Sequence, residues 1–563
     1  MSKLSRREML KLMGVGTASA VLAACAQATA TQLPAPTEAA KPTEKPAEPT
    51  ATTKPTEKPA EPTATTAPTK APPPAKTVKI TMIESWFGVP QFKESIDPVT
   101  KAISDKMKSE GLNIEIQSMI LDDHNNKYPV LYASGADFTM AFDAPWYKMD
   151  TLRVQGSLVV CDSLFDQYGP KLKEEITDKI LAANKWDGHL YGIPTAGSYG
   201  GTCGVTIRYD LLKKYGAAEP DPMVGWTSLQ PFLEAIQKNE AQMIPFPADP
   251  AYGPVHENFL LRRAVGTWHG VNSKTGIINP NIDKGYTLVD IETVPEMVET
   301  ARLLRTWWEK GLVNKTDLPA SGGGYVETLL DYFVPGKAAS RIENEPNYKY
   351  VDIQKTIKKS IPDAEVKGYD MAGIQAGRYK PVGALKQWNF IVFNATAPQE
   401  QQVAGVQYFN WLASSQDNID LWLMGIDGVN YKKEPDLRFS EIPGVDNAKN
   451  YRRAWYVGGI SGRFMRLPVD LPDDAMAEHR WESDESKWDF DPYEGFNIDV
   501  KAVEMETAQL VAAWAEAYHG FGTGQLPTDE AIAKMKKTLD DAGRQQYKAK
   551  VQKQLDDYIA AQK

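Results

Sequence analysis

Residues Ala26–Thr77 have almost nothing to bury, and that fixes where a fold can form. The stretch is mostly Pro, Thr, Ala, Lys and Glu, and Lys41–Thr53 recurs unchanged as Lys54–Thr66 (KPTEKPAEPTATT). So little apolar surface cannot offset the entropy lost on ordering, and residues 26–77 read as a disordered Pro/Thr-rich linker. In the extended conformation that Pro favours, at ~3.1 Å per residue, this linker reaches on the order of 100 Å. Folding is left to Val78–Lys563, too long for one compact core and suited to two or more domains.

Ahead of the linker stands a basic start, Met1-Ser2-Lys3-Leu4-Ser5-Arg6-Arg7, followed by an apolar run from Leu12 to Ala24. The run is too short to cross a hydrocarbon layer of roughly 30 Å. Residues 1–25 therefore read as an export signal peptide. Ser5-Arg6-Arg7-Glu8-Met9-Leu10-Lys11 resembles a twin-arginine signal, with Met9 where Phe or Leu is more usual, although Arg6-Arg7 also fits an ordinary basic start. Leu22-Ala23-Ala24-Cys25 resembles a lipobox, which makes Cys25 the acylated mature N-terminus. Two or three acyl chains anchor far more firmly than one, since each buried CH₂ adds about 0.8 kcal/mol. The expected location is extracytoplasmic, on the outer face of the cell membrane, held there by lipidated Cys25.

A formal net charge of −10 disfavours a nucleic-acid partner, whose phosphates it would repel. The three cysteines, Cys25, Cys161 and Cys203, form no CxxC pair, and the six histidines include no HExxH, so no zinc site, redox pair or cofactor is expected. Whether Cys161 and Cys203 are bonded stays open at this level. Asn279, Asn281, Asp283 and Asp290 are spaced much like a calcium loop, but Lys284 stands where such a loop needs Gly. A solvated loop is the better reading, and no metal is expected. Gly197-Ser198-Tyr199-Gly200-Gly201 misplaces its Ser for a nucleophile elbow. No enzyme motif is visible, though paired carboxylates for glycoside hydrolysis stay open.

From Val78 onward, Val78, Ile80 and Met82 alternate with Lys79 and Thr81, the period of a strand. About Gln91–Glu110 reads as a helix stopped at Gly111, Ile114–Ile116 alternates again, a helical stretch runs to Ser134, and Thr139–Phe142 is a short strand. This alternation predicts an α/β fold with a largely parallel sheet, whose binding site lies beyond the carboxyl ends of the strands. Helices are expected at Pro295–Gly311, Glu400–Ser414 and Val500–His519, with Trp308, Trp411 and Trp514 in the core. Tyr431–Ile498 reads mostly as loop. No run of 18 apolar residues follows Cys25.

Short motifs spread over Val78–Lys563 resemble, in order, those of the extracellular solute-binding proteins of ABC importers (solute-binding protein family 1), closest to the longer carbohydrate-type lipoproteins. Tyr132-Ala133-Ser134-Gly135 with Asp137-Phe138 is similar to the family's ASG-D step, and Asp187–Pro194 (DGHLYGIP) to its DGK-YGIP segment. Ile207–Gly216 is similar to its I-R-D-L-K-G helix start. Phe333–Ala339 resembles F-GKAA, with Ser340 where Met is common. Leu421–Tyr431 resembles YGIEG-HY, with Asp427 for Glu and Asn430 for His. Gly495-Phe496-Asn497, Val500-Lys501 and the tail Leu539–Tyr558 resemble its C-terminal pattern.

The resemblance implies a two-lobed periplasmic-binding-protein type II fold: α/β, each lobe a mainly parallel sheet flanked by helices, joined by a multi-strand hinge. Lobe 1 would take residues 78–200 plus about 390–450, and lobe 2 about 206–385 plus about 455–563. Crossings fall near Ser198–Thr206 and Ala384–Phe393, and Gly197, Gly200, Gly201 and Gly204 fit either a hinge or tight loops. The resemblance also implies a monomeric, non-enzymatic binding protein. It would capture a small-molecule solute, an oligosaccharide, by cleft closure and pass it to ABC permease subunits. A secreted lipid-anchored glycoside hydrolase and a surface adhesion lipoprotein are the alternatives.

Sugar capture needs aromatic faces against the C–H side of a pyranose and planar polar groups for its hydroxyls. The expected substrate-binding residues are Trp86, Asp143, Trp146, Tyr199, Trp268, Glu343, Asn344, Trp388, Asn389 and Tyr431, with Trp455 and Tyr456 behind them. Trp86 and Trp146 follow strands that end at the cleft, Tyr199 and Trp388 lie beside crossings, and Glu343 and Asn344 follow the Gly-Lys-Ala-Ala step. Core packing is an equally open reading for each aromatic, as is a surface or hinge salt bridge for Glu343 or Asp143.

Overall fold

The computed structural model describes residues 76–83, 92–121, 124–197, 199–200, 202–248, 273–278, 285–318, 330–344, 346–373, 376–378, 382–447, 449–453, 458–491 and 493–562. The backbone divides into two units, Met1–Lys70 and Ala71–Lys563, and every described residue lies in the second. Along the chain its principal strands are β1 (Val78–Ile83), β2 (Ile114–Met119), β3 (Met140–Asp143), β4 (Ile193–Pro194), β5 (Cys203–Arg208), β6 (Ser340–Asn344), β7 (Val366–Asp370), β8 (Val382–Gly383) and β9 (Phe390–Phe393).

The first sheet runs in the order β2-β1-β3-β9-β4, parallel through β1, β2 and β3. Strand β9 is antiparallel to both β3 and β4 and lies between them. Its sequence, Phe-Ile-Val-Phe, is buried throughout, as a central strand covered on both faces requires. Period-two alternation then feeds two apolar layers. Ile80, Met82, Met140, Phe142, Ile391 and Phe393 face one layer, while Ile83, Ala141, Phe390 and Val392 face the other. The helix Lys93–Ser109 covers the first layer with Ile96, Val99, Ile103 and Met107, spaced as one helical face.

A second core gathers around β5, which pairs antiparallel with β6 on one side and β7 on the other. Here the expectation of a mainly parallel sheet in each lobe is corrected. β5 runs away from the first core, whereas β6 and β7 both run back toward it, so the three described strands must pair antiparallel. Val205, Ile207, Phe232, Leu233, Trp307, Leu510 and Leu555 belong to this core.

The expected helices appear as Pro295–Lys310, Gln399–Leu412 and Glu504–Thr523, the first ending on Gly311 at φ 74°. Trp411 and Trp514 are buried, but Trp307 and not Trp308 enters the core. Both follow Leu304 within one turn, and the face centre falls on Trp307, whose Nε1 donates to Gln230 Oε1 at 3.1 Å. Trp308 lies half-buried with Arg305 and Lys315 over its ring at 4.6 and 3.8 Å. The stretch read as loop holds the helix Asp473–Glu482 and a small sheet of Lys432–Glu434, Arg438–Ser440 and Leu467–Pro468. Buried Arg466 organises it, donating to Asp420 Oδ2 (2.8 Å) and to the Glu434 and Arg438 carbonyls (3.0 and 3.1 Å). No helix among the described residues is long and apolar enough to cross a membrane.

Among the described residues the chain passes between the two cores three times. The first passage joins β4 to β5, and the second leads from β7 through β8 to β9. The third runs from Trp488 in the first core to Phe496 in the second. Ile460 and Trp488 both pack into the first core, so this last passage lies near residue 490 and not near 455. Strand β8 pairs parallel with Asp489–Phe490, and Ala384 N donates to Tyr199 O at 2.7 Å, so neighbouring passages are tied by backbone. Gly200 and Gly204 are points of close approach. A Cβ on Gly200 would stand 2.5 Å from the Trp488 ring, and one on Gly204 would stand 1.9 Å from Tyr369 O.

Cys161 lies in the first core and Cys203 in the second, and both are free thiols. Burial pushes the Cys161 thiol up, away from the reactive thiolate. Neither cysteine is expected to react with Ellman's reagent in the native protein, and both are expected to react in denaturant without reductant. Loss of either thiol from the denatured count would show that they are bonded.

Candidate functional site

The first sheet ends at Asp143, whose carboxylate shapes the turn beyond β3. Oδ1 accepts from the backbone N–H groups of Ala144 (2.7 Å) and Lys148 (3.1 Å), and Oδ2 accepts from Tyr128 Oη (2.9 Å). Asp143 is fully buried, and burial pushes its carboxyl up to about 6 against those hydrogen bonds. Its oxygens are spent on the protein, so its task is to hold the turn and not to meet a solute. Below the turn, His124, Tyr128 and Tyr147 stack at 4.8–6.0 Å, and burial lowers His124 to about 4. The turn presents Trp146, which is 44% exposed beside Phe142 and Tyr147.

Strand register places the second passage next to this turn. Phe390 pairs with Asp143 on one side and with Pro194 on the other, so Trp388 and Asn389 extend just past both strand ends. The Asn389 carbonyl accepts from Thr195 N (2.9 Å) and Thr195 Oγ1 (3.0 Å), which fixes the segment. Both side chains are partly exposed. Asn389 Oδ1 is buried with no hydrogen-bond partner among the described residues, and so is Gln387 Oε1 two residues earlier. An orphaned acceptor of this kind needs a donor to offset its lost hydration. An open cavity of about 400 Å³ lies apart from this group, lined by Phe92, Glu94 and Ser95 at the start of the helix Lys93–Ser109 and by Lys449.

Several expected residues serve other ends. Tyr199 is 6% exposed, donates to Glu485 Oε2 (3.2 Å) and meets Phe490 edge-on at 5.4 Å, which ties the first passage to the third. Glu343 is bound to Arg341 at 2.8 Å with both nearly sealed from water, since they are two apart on one face of β6. Tyr431 is a core residue, because the turn closed by Gly428 N and Tyr431 O (2.7 Å) directs its ring inward. The Asn344 backbone pairs with Cys203, and its side chain falls outside the described residues. Trp86, Trp268, Trp455 and Tyr456 also lie outside them, as do Asn279, Asn281 and Asp283 of the calcium-like stretch. Asp290 is held by Lys548 Nζ (2.7 Å) and Gln545 Nε2 (3.1 Å), and no group of three His, Cys, Asp or Glu among the described residues is arranged for a metal ion. Sequence reasoning missed Gln387, whose Oε1 is an orphaned acceptor like Oδ1 of Asn389. Gln387 was within reach, as the same-face neighbour of Asn389 in an extended segment.

The raised carboxyl of Asp143 makes a signed pH prediction. A carboxyl whose folded pKa exceeds its unfolded one binds its proton more tightly in the native state. Its contribution to stability is therefore largest at about pH 4 and is lost as pH rises through about 6, in total about 3 kcal/mol. The stability difference, wild type minus Asp143→Asn, is expected to fall by that order between pH 4 and 7 in thermal melts. A flat or rising difference would contradict the assignment.

Comparison with known proteins places this geometry. A family model described as "Domain of unknown function (DUF3502)" matches residues 492–560, the C-terminal part of the second core. A curated relative from Streptococcus pneumoniae serotype 4, named carbohydrate ABC transporter substrate-binding protein, is 20% identical over 478 residues, covering 84% of this chain and 89% of its own length. The crystal structure of the N-glycan transport solute binding protein NgtS from Streptococcus pneumoniae aligns with a TM-score of 0.64 at 16% identity, covering 87% of this chain and all of its own. A solute-binding protein of Bifidobacterium longum infantis, described as binding HMO, aligns at 0.55 and 15% identity over 86% of this chain and 99% of its own. Alginate-binding protein AlgQ2 without calcium aligns at 0.55 and 15% identity over 87% of this chain and all of its own. The chain therefore has the type II fold of the extracellular solute-binding proteins, the group its motifs resemble.

Proposed function

We propose that this chain is an extracytoplasmic solute-binding protein of an ABC importer, one that takes an oligosaccharide between two lobes and delivers it to the permease without altering it. The observation that carries this reading is the pairing of two separate cores, joined by three passages, with aromatic and polar groups gathered where the passages leave the first sheet. Trp146 offers an exposed indole face to the apolar side of a sugar ring. Asn389 carries a partly exposed amide whose buried Oδ1 lacks a partner, and turning that amide outward lets a sugar hydroxyl supply one. Relatives named for carbohydrate transport, N-glycan transport and HMO binding support the same class of solute. In this reading residues 78–200 and about 382–490 form lobe 1, residues 203–371 and about 496–562 form lobe 2, and closure is favoured by ligand contacts from both. The protein works as a monomer and needs no cofactor. Trp86, Trp268 and Asn344 remain proposed contacts.

Thermal-shift measurements against Man5GlcNAc, kestose, fructo-nystose, alginate oligosaccharides, peptides and amino acids test the proposal. A true ligand at a hundred times its Kd stabilises by about 2.7 kcal/mol. Trp146→Ala should lower the ligand-free midpoint slightly, through the lost contacts with Phe142 and Tyr147, and weaken that ligand at least tenfold, about 1.4 kcal/mol. Stabilisation by peptides alone, or turnover of a sugar in the assay, would overturn the reading.

The anchor rests on Leu22-Ala23-Ala24-Cys25. In the native host, Cys25→Ala should move the protein from the membrane fraction to the soluble one. An unchanged membrane fraction would remove the lipid anchor from the proposal.

A further inference from the structure

Lys386 lies on the second passage, four residues before β9 begins, and its side chain reaches the third passage. Its Nζ donates to Phe496 O (3.0 Å) and to Asn497 Oδ1. Phe496 belongs to the second core. Asn497 is tied back in the other direction, its Nδ2 donating to Lys185 O (2.7 Å) and Gly495 O (3.1 Å). The backbone that carries Lys386 is pinned to the first core. Asn184 donates from Nδ2 to Leu385 O (2.9 Å) and accepts at Oδ1 from Gln387 N (2.8 Å), and Leu385 N donates to Glu494 Oε2.

Lys386 is only 7% exposed as a residue, and its ammonium stands 5.8 Å from the Trp186 ring. Charges face it from each side: Asp150 and Arg153 from the helix Met149–Val154, and Glu494 from the third passage. Burial pulls Lys386 down to about 8 and pushes Glu494 up to about 8, so the cluster is costly to desolvate and is held by its geometry. Nothing in this cluster belongs to the sugar-facing group around Trp146 and Asn389.

We propose that Lys386 is the pin of the hinge: a positioning residue that fastens the third passage, where it enters the second core, to the first core, and so sets the balance between open and closed forms. Ligand affinity follows that balance, because only the binding-competent fraction contributes to the apparent Kd. This last link rests on the solute-binding reading, whereas the pin itself does not.

The test uses the full chain with Cys25→Ala, which leaves two buried thiols, and spin labels on Cys introduced at Val130 and Met223, 60% and 53% exposed and beside the first and second cores. Pulsed dipolar spectroscopy without ligand should give a shifted or broadened distance distribution for Lys386→Met and a near wild-type one for Lys386→Arg. Asn497→Ala, which keeps the charge but removes the Oδ1 acceptor together with the Nδ2 bonds to Lys185 O and Gly495 O, should fall between them and keeps the test decisive if Lys386→Met does not fold. Titration with Man5GlcNAc and kestose should show apparent Kd weakened at least about fivefold in Lys386→Met, with Trp146 intact. A wild-type distribution in both Lys386→Met and Asn497→Ala, or no recovery in Lys386→Arg, would refute the pin. Failure of wild type itself to bind either sugar counts against those two sugars as the solute, and the label distances still decide the pin.

Discussion

Among the described residues three stretches of backbone carry the covalent traffic between the two cores, and they govern how the rest is arranged. Each is tied to a neighbour: Ala384 N to Tyr199 O, β8 to Asp489–Phe490, and Leu385 N to Glu494. Three bonded strands resist shear better than one linker, yet they permit rotation about their common direction. Large side chains are excluded where the strands crowd, which explains Gly200 against Trp488 and Gly204 against Tyr369. Free glycine torsion is not required for this. Close packing alone demands the missing Cβ.

The polar groups near the passages divide into those that build the site and those left over to use it. Asp143, Tyr199 and Glu343 are satisfied internally by Tyr128, Glu485 and Arg341, so their burial is compensated. They hold turns and strands in place. Trp146 and Asn389 are different, one with an exposed ring and the other with an unmet acceptor. A sugar is the kind of molecule that supplies both an apolar face and hydroxyl donors in one rigid frame.

Much of this architecture is legible in the residues. Alternation at Val78–Met82 and the helical spacing of Ile96, Val99, Ile103 and Met107 locate β1 and its covering helix within two residues, because burial on one face leaves a periodic trace. The motif order leads to the right fold class. Other features leave no such trace. Strand direction in the second sheet depends on which core a strand runs toward, which no local pattern records. Tyr431–Ile498 is organised by Arg466 and its carbonyl partners, and ion pairs have no period. Asp143 and Glu343 resemble solute contacts in sequence because a carboxylate beside a strand end looks the same whether its partner is a ligand or a neighbouring tyrosine or arginine. Trp307 displaces Trp308 because the two differ by only about 100° around one helix.

The placement of β9 also governs the order in which this molecule can mature. β3 and β4 cannot pair with each other. Each waits for a strand synthesised only after most of the second core has been made. Until Phe390–Phe393 arrives, a nascent chain exposes two apolar strand margins with unmatched amides, the surfaces on which mispairing and self-association begin. The sheet of the second core, β5, β6 and β7, is complete by Asp370 and is free to pair beforehand, although the core's helical residues Leu510 and Leu555 come only after β9. The facing margins of β3 and β4 are thus made early and secured late.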